Sequence, residues 1–317
     1  MSVLPQRADL RAASSKRRTV PGGWRRTGAA LALISPFFLL FVVATLAPIG
    51  YATYLSLFAE RSSGLGFGGT EQVFVGLDNF KQVLSDDRYL SSYLHIAIFA
   101  VVGVPLMLGL SVFVALLLDT AYARAKRFLQ LGLFIPHLVP GVIAAMIWVY
   151  LYTPQVSPII KVLGGMGFEI DLLGHTFTYP ALINIVLWMG LGYNIIIYYA
   201  SLQAVPREVI EAAIMDGAGE FRVAWHIKVP LIRSAVALTA IFAAIAALQL
   251  FAEPLMMAKA SARSVTSDWT PNLYAYTAAF TKSGQFGAAA AASLLLALLA
   301  AGLSWVVTRF ASPWEKA

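Results

Sequence analysis

Six side chains able to bind a solute sit inside long apolar stretches of this chain: Asn184, Trp188, Asn194, Tyr198, Gln249 and Glu253. A polar group within a membrane is costly, and its presence there marks function by default. Asn194 follows Asn184 by ten residues, about 15 Å along a helix at 1.5 Å per residue. Gln249 and Glu253 form an (i, i+4) pair on one helix face. Amides, a carboxylate and flat rings are the groups that hydrogen-bond hydroxyls and stack on C–H faces. Each also has a structural use. Amides join helices, Trp and Tyr anchor at the membrane interface, and Glu253 has water within reach at the outer edge.

A second set lies in the charged island Val205–Pro230, between two apolar segments. Pro206 suits a helix start, and Glu208 and Glu211 follow in the N-terminal turns, where the helix dipole favours negative charge. Ala212 and Ala213 leave a small face that another surface can approach closely. Asp216, Gly217 and Ala218 follow, and Gly217 permits the positive φ that ends a helix cheaply. Phe221, Ala224 and Trp225 then begin a second helical pattern. The expected product is a helix–turn–helix with exposed carboxylates, shaped as a lever for a soluble partner. An interfacial helix pair with solvated charges is the plainer alternative.

Other chemistries are thinly supported. Zero cysteines remove disulfides and thiolate catalysis. His95, His137, His175 and His226 are scattered without metal-ligand spacing, and no G-x-x-x-x-G-K-[ST] loop is present. The net charge of +7 does not form a nucleic-acid-binding stripe. Its basic residues follow membrane topology instead.

The positioning elements are apolar helices. The chain has 317 residues, 59% hydrophobic and 12% charged, with a mean hydropathy of +0.74. A bilayer core needs about 20 apolar helical residues. Six stretches qualify, near residues 31–58, 93–118, 128–152, 181–203, 231–257 and 287–310. With the N-terminus inside, sixteen of the twenty-three Lys and Arg residues fall on the cytoplasmic side. Both termini and the 205–230 loop are therefore expected there, with residues 1–28 a basic tail near anionic lipid. Pro36, Pro48, Pro105, Pro136, Pro140 and Pro254 predict kinks within the spans. Phe74, Leu77, Phe80 and Leu84 predict the apolar edge of a surface helix, after a loop rich in glycine at Gly64, Gly66, Gly68 and Gly69. Asp119 is expected to pair with Arg124 or Lys126 nearby.

Glu211-Ala212-Ala213, three residues, Gly217, nine residues, Ile227, one residue, then Val229-Pro230 resembles the signature loop of ABC importer permeases. Val229 stands where Leu is usual, and Asp216-Gly217-Ala218 resembles the triplet of the sugar branch. The stretches F-V-G-L-D-N-F at Phe74–Phe80, I-P-H-L-V-P from Ile135 and Tyr198–Glu208 are similar to carbohydrate permeases of the maltose and glycerol-3-phosphate type. Two departures fall in the outer half: no Gly-x-x-Asn follows Pro154, and Ala258–Arg263 replaces the usual Gly-Gly-Pro.

The resemblance implies an all-α membrane protein of six transmembrane helices with the ABC importer type I permease fold over residues 29–317. It implies a non-catalytic subunit of the bacterial inner membrane, without a cofactor of its own. ATP and Mg belong to two partner ATPase subunits, which dock through Glu208, Glu211, Ala212, Ala213, Asp216, Gly217 and Ala218. A second homologous permease, an extracytoplasmic solute-binding protein, membrane lipid and a carbohydrate are the other implied partners, and nucleic acid is not one. A secondary transporter or channel for a small polar solute is the alternative.

Overall fold

The computed structural model describes residues 23–62, 70–120, 125–167, 170–261, 263, 265–281 and 284–311. The basic tail to residue 22, the glycines 64–69, Arg124, Lys282 and Lys316 lie outside these. The chain divides into two units, residues 1–51 and 52–317.

The first unit carries α1 (Gly23–Phe41), a π-helical turn (Val42–Leu46) and the start of α2 (Ala47–Ser56). A proline ring crowds the carbonyl four residues back. For Pro48 that residue is Ala44, inside the widened turn.

The second unit opens with a two-stranded antiparallel hairpin, β1 (Phe58–Ser62) and β2 (Thr70–Phe74), in which Phe58 pairs with Phe74. Their rings meet edge-on at 5.4 Å, a cross-strand aromatic pair. The short helix α3 (Asp78–Leu84) follows. One expectation changes here: Phe74 belongs to a strand rather than to the surface helix. In that helix Asn79 and Val83 are buried and Phe80 packs against the cluster around Val83, whereas Leu84 and the preceding Leu77 are exposed. Asn79 Nδ2 donates to the Ser56 and Phe58 carbonyls at 2.8 and 2.9 Å, so its burial is satisfied.

The body is helical: α4 (Asp87–Asp119), α5 (Lys126–Phe134), α6 (Gly141–Tyr152), α7 (Pro158–Gly165) and α8 (Thr178–Gln203). Then come α9 (Arg207–Met215), α10 (Glu220–Val223), a π turn (Ala224–Lys228), α11 (Val229–Leu231), α12 (Arg233–Leu248), α13 (Ala252–Ala260), α14 (Pro271–Phe280) and α15 (Phe286–Ala311). Four stretches can cross a membrane by length and composition: Leu31–Ser56, Asp87–Asp119, His175–Gln203 and Phe286–Val306. Two bent pairs raise the number to six if each is one span: Lys126–Leu138 with Gly141–Tyr152, and Glu220–Leu231 with Arg233–Leu248.

The first pair turns through 98°, far more than a kinked span. Val139, before Pro140, is extended at φ −76°, ψ 126°, as the residue ahead of a proline prefers. The expected span at 231–257 is likewise divided. α12 stops at Leu248 and α13 starts at Ala252, because a continuous helix would drive Pro254 against the Leu250 carbonyl.

The core lies between α4, α8, α6 and α13, with Phe99, Leu182, Ile185 and Met257 buried in it. Glycines set the closest approaches. A Cβ on Gly192 of α8 would fall 1.9 Å from the Leu133 carbonyl oxygen of α5. A Cβ on Gly287 of α15 would fall 2.2 Å from the Phe58 carbonyl oxygen.

Candidate functional site

Two places gather the predicted residues. One is a cavity of about 380 Å³ between α4, α8, α12 and α13, within the size range of small-ligand sites. Its walls are largely apolar, with Phe99, Met107, Ile183 and Phe242 among them. The polar residues lining it are Asn194, Gln249, Glu253, His137, Tyr193 and Thr239. The divided helix explains this convergence. Gln249 lies in the gap after α12, and Glu253 lies in the first turn of α13. A Cβ on Gly141, the first residue of α6, would lie 3.2 Å from Glu253 Oε1. Two helix N-termini thus bring partial positive charge beside this carboxylate. His137 stacks on Tyr193 with ring centroids 4.9 Å apart.

The other three predicted residues lie outside this cavity. Asn184 Nδ2 donates to Tyr152 Oη at 2.8 Å, and Tyr152 donates to the Ala181 carbonyl, joining α8 to α6. Trp188 meets Trp148 edge-on at 6.0 Å. Tyr198 is fully buried and shares a hydrogen bond with Thr239. His137 lacked a sequence signal of its own, since its role depends on the turn at Pro140.

The second place is the 205–230 loop. α9 begins after Pro206 and buries no residue. Glu208, Glu211, Ala212, Asp216 and Gly217 are exposed, while Ala213 and Ala218 are half-buried. Gly217 has φ +83°. Its N–H donates to the Ile214 carbonyl at 2.9 Å, and the Ala218 N–H donates to the Ala213 carbonyl at 2.9 Å. This pair of bonds is a Schellman cap, which leaves the end of α9 rigid. Around it stand uncovered apolar side chains that the charge pattern hid: Ile214, Met215 (85% exposed), Phe221 and Trp225. Phe221 and Trp225 pair at 6.3 Å.

Asp119, at the end of α4, pairs with Lys228 of the loop at 2.5 Å, and among the described residues Lys126 is not its partner; Arg124 lies outside them. Gln203 Nε2 donates to the same carboxylate at 2.6 Å. Both members of the ion pair are largely shielded, at 17% and 11% exposed. One carboxylate therefore ties the loop to the ends of α4 and α8.

The sequence profile of the family described as binding-protein-dependent transport system inner membrane component matches residues 107–314. This chain belongs to that family. The permease is 32% identical over 292 residues to the diacetylchitobiose uptake system permease protein NgcF of Streptomyces coelicolor, covering 87% of this chain and 81% of the relative. It is 35% identical over 204 residues to the sn-glycerol-3-phosphate transport system permease protein UgpA of Rhizobium meliloti, covering 63% and 67%. Among solved structures, it superposes on a chain of a bacterial ABC transporter involved in the import of the acidic polysaccharide alginate. The TM-score is 0.77 at 17% identity, over 91% of this permease and 96% of that chain. A second structure, in complex with an alginate pentasaccharide-bound periplasmic protein, gives 0.78 at 16% identity over 92% and 97%. The fold is shared with these importers, and the permease is a multi-pass component of the inner membrane.

Proposed function

We propose that this permease forms half of the translocation pathway of an ATP-driven importer for a carbohydrate, an oligosaccharide or a sugar derivative. The observation that carries the reading is the exposed, rigidly capped α9, which presents Glu211, Ala212 and Ala213 beside uncovered apolar side chains. Such a surface fits a groove on a soluble ATPase. Glu208, Glu211, Ala212, Ala213, Asp216, Gly217 and Ala218 make that contact, and ATP with Mg is bound by the two ATPase subunits. In this reading six spans run over residues 29–317, with the basic tail, both termini and the loop in the cytoplasm. A second, homologous permease completes the pathway, and an extracytoplasmic binding protein delivers the solute. Asn194, Gln249 and Glu253 contact it in the cavity, while Asn184, Trp188 and Tyr198 shape the wall behind. Nucleotide binding shifts a two-state bundle by its preference for one state.

Reconstitution tests this. Proteoliposomes holding both permeases and the ATPase, with the binding protein outside, are expected to accumulate a labelled oligosaccharide only when ATP is enclosed. Accumulation that follows an ion gradient without ATP would favour the secondary-transporter alternative.

A further inference from the structure

The polar atoms of the cavity have a common character once their internal bonds are counted. His137 Nδ1 lies 3.1 Å from the Met189 carbonyl oxygen. A carbonyl only accepts, so Nδ1 carries the hydrogen, and a neutral ring then leaves Nε2 as an acceptor. Asn194 Nδ2 donates to the Gly190 carbonyl at 3.0 Å, leaving Oδ1 as an acceptor. Thr239 is engaged with Tyr198 and with the carbonyls of Ala235 and Val236. Among the described residues, no other side chain forms an ion pair or hydrogen bond with Glu253. No Lys or Arg stands among the described residues lining the cavity. Gln249, Tyr193 and the second hydrogen of Asn194 Nδ2 are the remaining donors.

We infer that the cavity selects donor-rich saccharides without negative charge, neutral or amine-bearing, and that Glu253 is the specificity-determining residue that rejects phosphorylated and carboxylated sugars. The inference rests on the carbohydrate reading above. Its physical basis is subtraction as much as attraction. A phosphate or carboxylate entering the cavity meets the Glu253 carboxylate, which already takes up the positive ends of two helices. The wall there is apolar, with no Lys or Arg among the described lining residues, and repulsion is little screened. Hydroxyl and ammonium groups find acceptors already placed. Gly141 leaves room for the Glu253 carboxylate, since a Cβ there would lie 3.2 Å from Oε1.

The test is equilibrium binding by calorimetry to the purified complex of both permeases and ATPase, with no binding protein present. The probes are cellobiose, chitobiose with its two free amines, and cellobiose 6′-phosphate. Wild type is expected to bind chitobiose and cellobiose and to show no heat with the phosphate. Glu253→Gln is expected to weaken chitobiose by roughly tenfold to a hundredfold, the worth of hydrogen bonds to a charged acceptor. Cellobiose should then change less than threefold, and the phosphate should gain affinity. Glu253→Asp, which keeps the charge, is expected to retain the wild-type order, and unchanged melting temperatures exclude misfolding. If wild type binds the phosphate as tightly as cellobiose, or Glu253→Gln leaves the order intact, the inference is overturned and the carbohydrate reading stands. If no probe binds any form, the carbohydrate reading fails and the inference with it.

Discussion

Gly217, just past the end of α9, and Gly192, within α8, are required for opposite reasons. Gly217 stands in open space at φ +83°, so only its backbone conformation demands glycine. Gly217→Ala should cost about 1 kcal/mol through the left-handed conformation and weaken ATPase association without altering the bundle, as pull-down and thermal melting would show. Gly192 has an ordinary helical backbone, but Leu133 of α5 lies against it. Gly192→Val should lower stability by about 3 kcal/mol or more, read as a fall in melting temperature in detergent. The first glycine was legible in the sequence because a turn is a local event. The second was not, since what fills the space beside it comes from fifty-nine residues earlier in the chain.

Helices, as elements, were read well where hydrophobicity alone decides them. The long helices α4, α8 and α15 stand close to the expected spans. Reading failed where a proline redirects the chain. A proline in a span signals a kink, but the 98° turn at Pro140 and the gap before Pro254 depend on what packs there. Those two interruptions build the cavity, so Asn194, Gln249 and Glu253 were named from the sequence without their geometry, and His137 was not. An ion pair of Asp119 was expected, and Lys228, which lies in a separate element more than a hundred residues on, forms one. That pair yields a prediction about coupling. Removing one member of a shielded pair leaves the other charge unpaired. Lys228→Met should therefore loosen the loop from α4 and α8, keep ATPase association, and reduce transport per ATP hydrolysed. Asp119→Asn with Lys228→Gln should recover part of that ratio, measured in proteoliposomes.

At the scale of the whole molecule, polar ties outside the spans hold the bundle's ends. Asp86 caps α4, accepts from Arg88 at 2.9 and 3.1 Å, and accepts from Tyr274 of α14 at 2.9 Å. The hydrogen bonds from Arg88 hold the Asp86 carboxyl below the usual carboxylate range. Burial pushes the Tyr274 hydroxyl up to about 12, so it stays a donor. A depressed carboxylate adds stability that is complete above its unfolded value, about 3.9, and is lost as pH falls through the lower folded value. The melting temperature of wild type should drop on going from pH 5 to pH 3 by more than that of Asp86→Asn.

The absence of cysteine makes the central claim directly testable. Met215→Cys places a single thiol on the exposed end of α9, and Phe280→Cys places one on the exposed end of α14. Each would be expressed with the partner permease and ATPase and treated in membranes with a short thiol-to-amine cross-linker, whose second end reacts with lysines of the neighbouring subunit. A coupling loop predicts that Met215→Cys joins covalently to the ATPase, in a yield that changes with ATP, while Phe280→Cys does not. Equal cross-linking at both positions, or none at Met215→Cys in an assembled complex, would contradict the account.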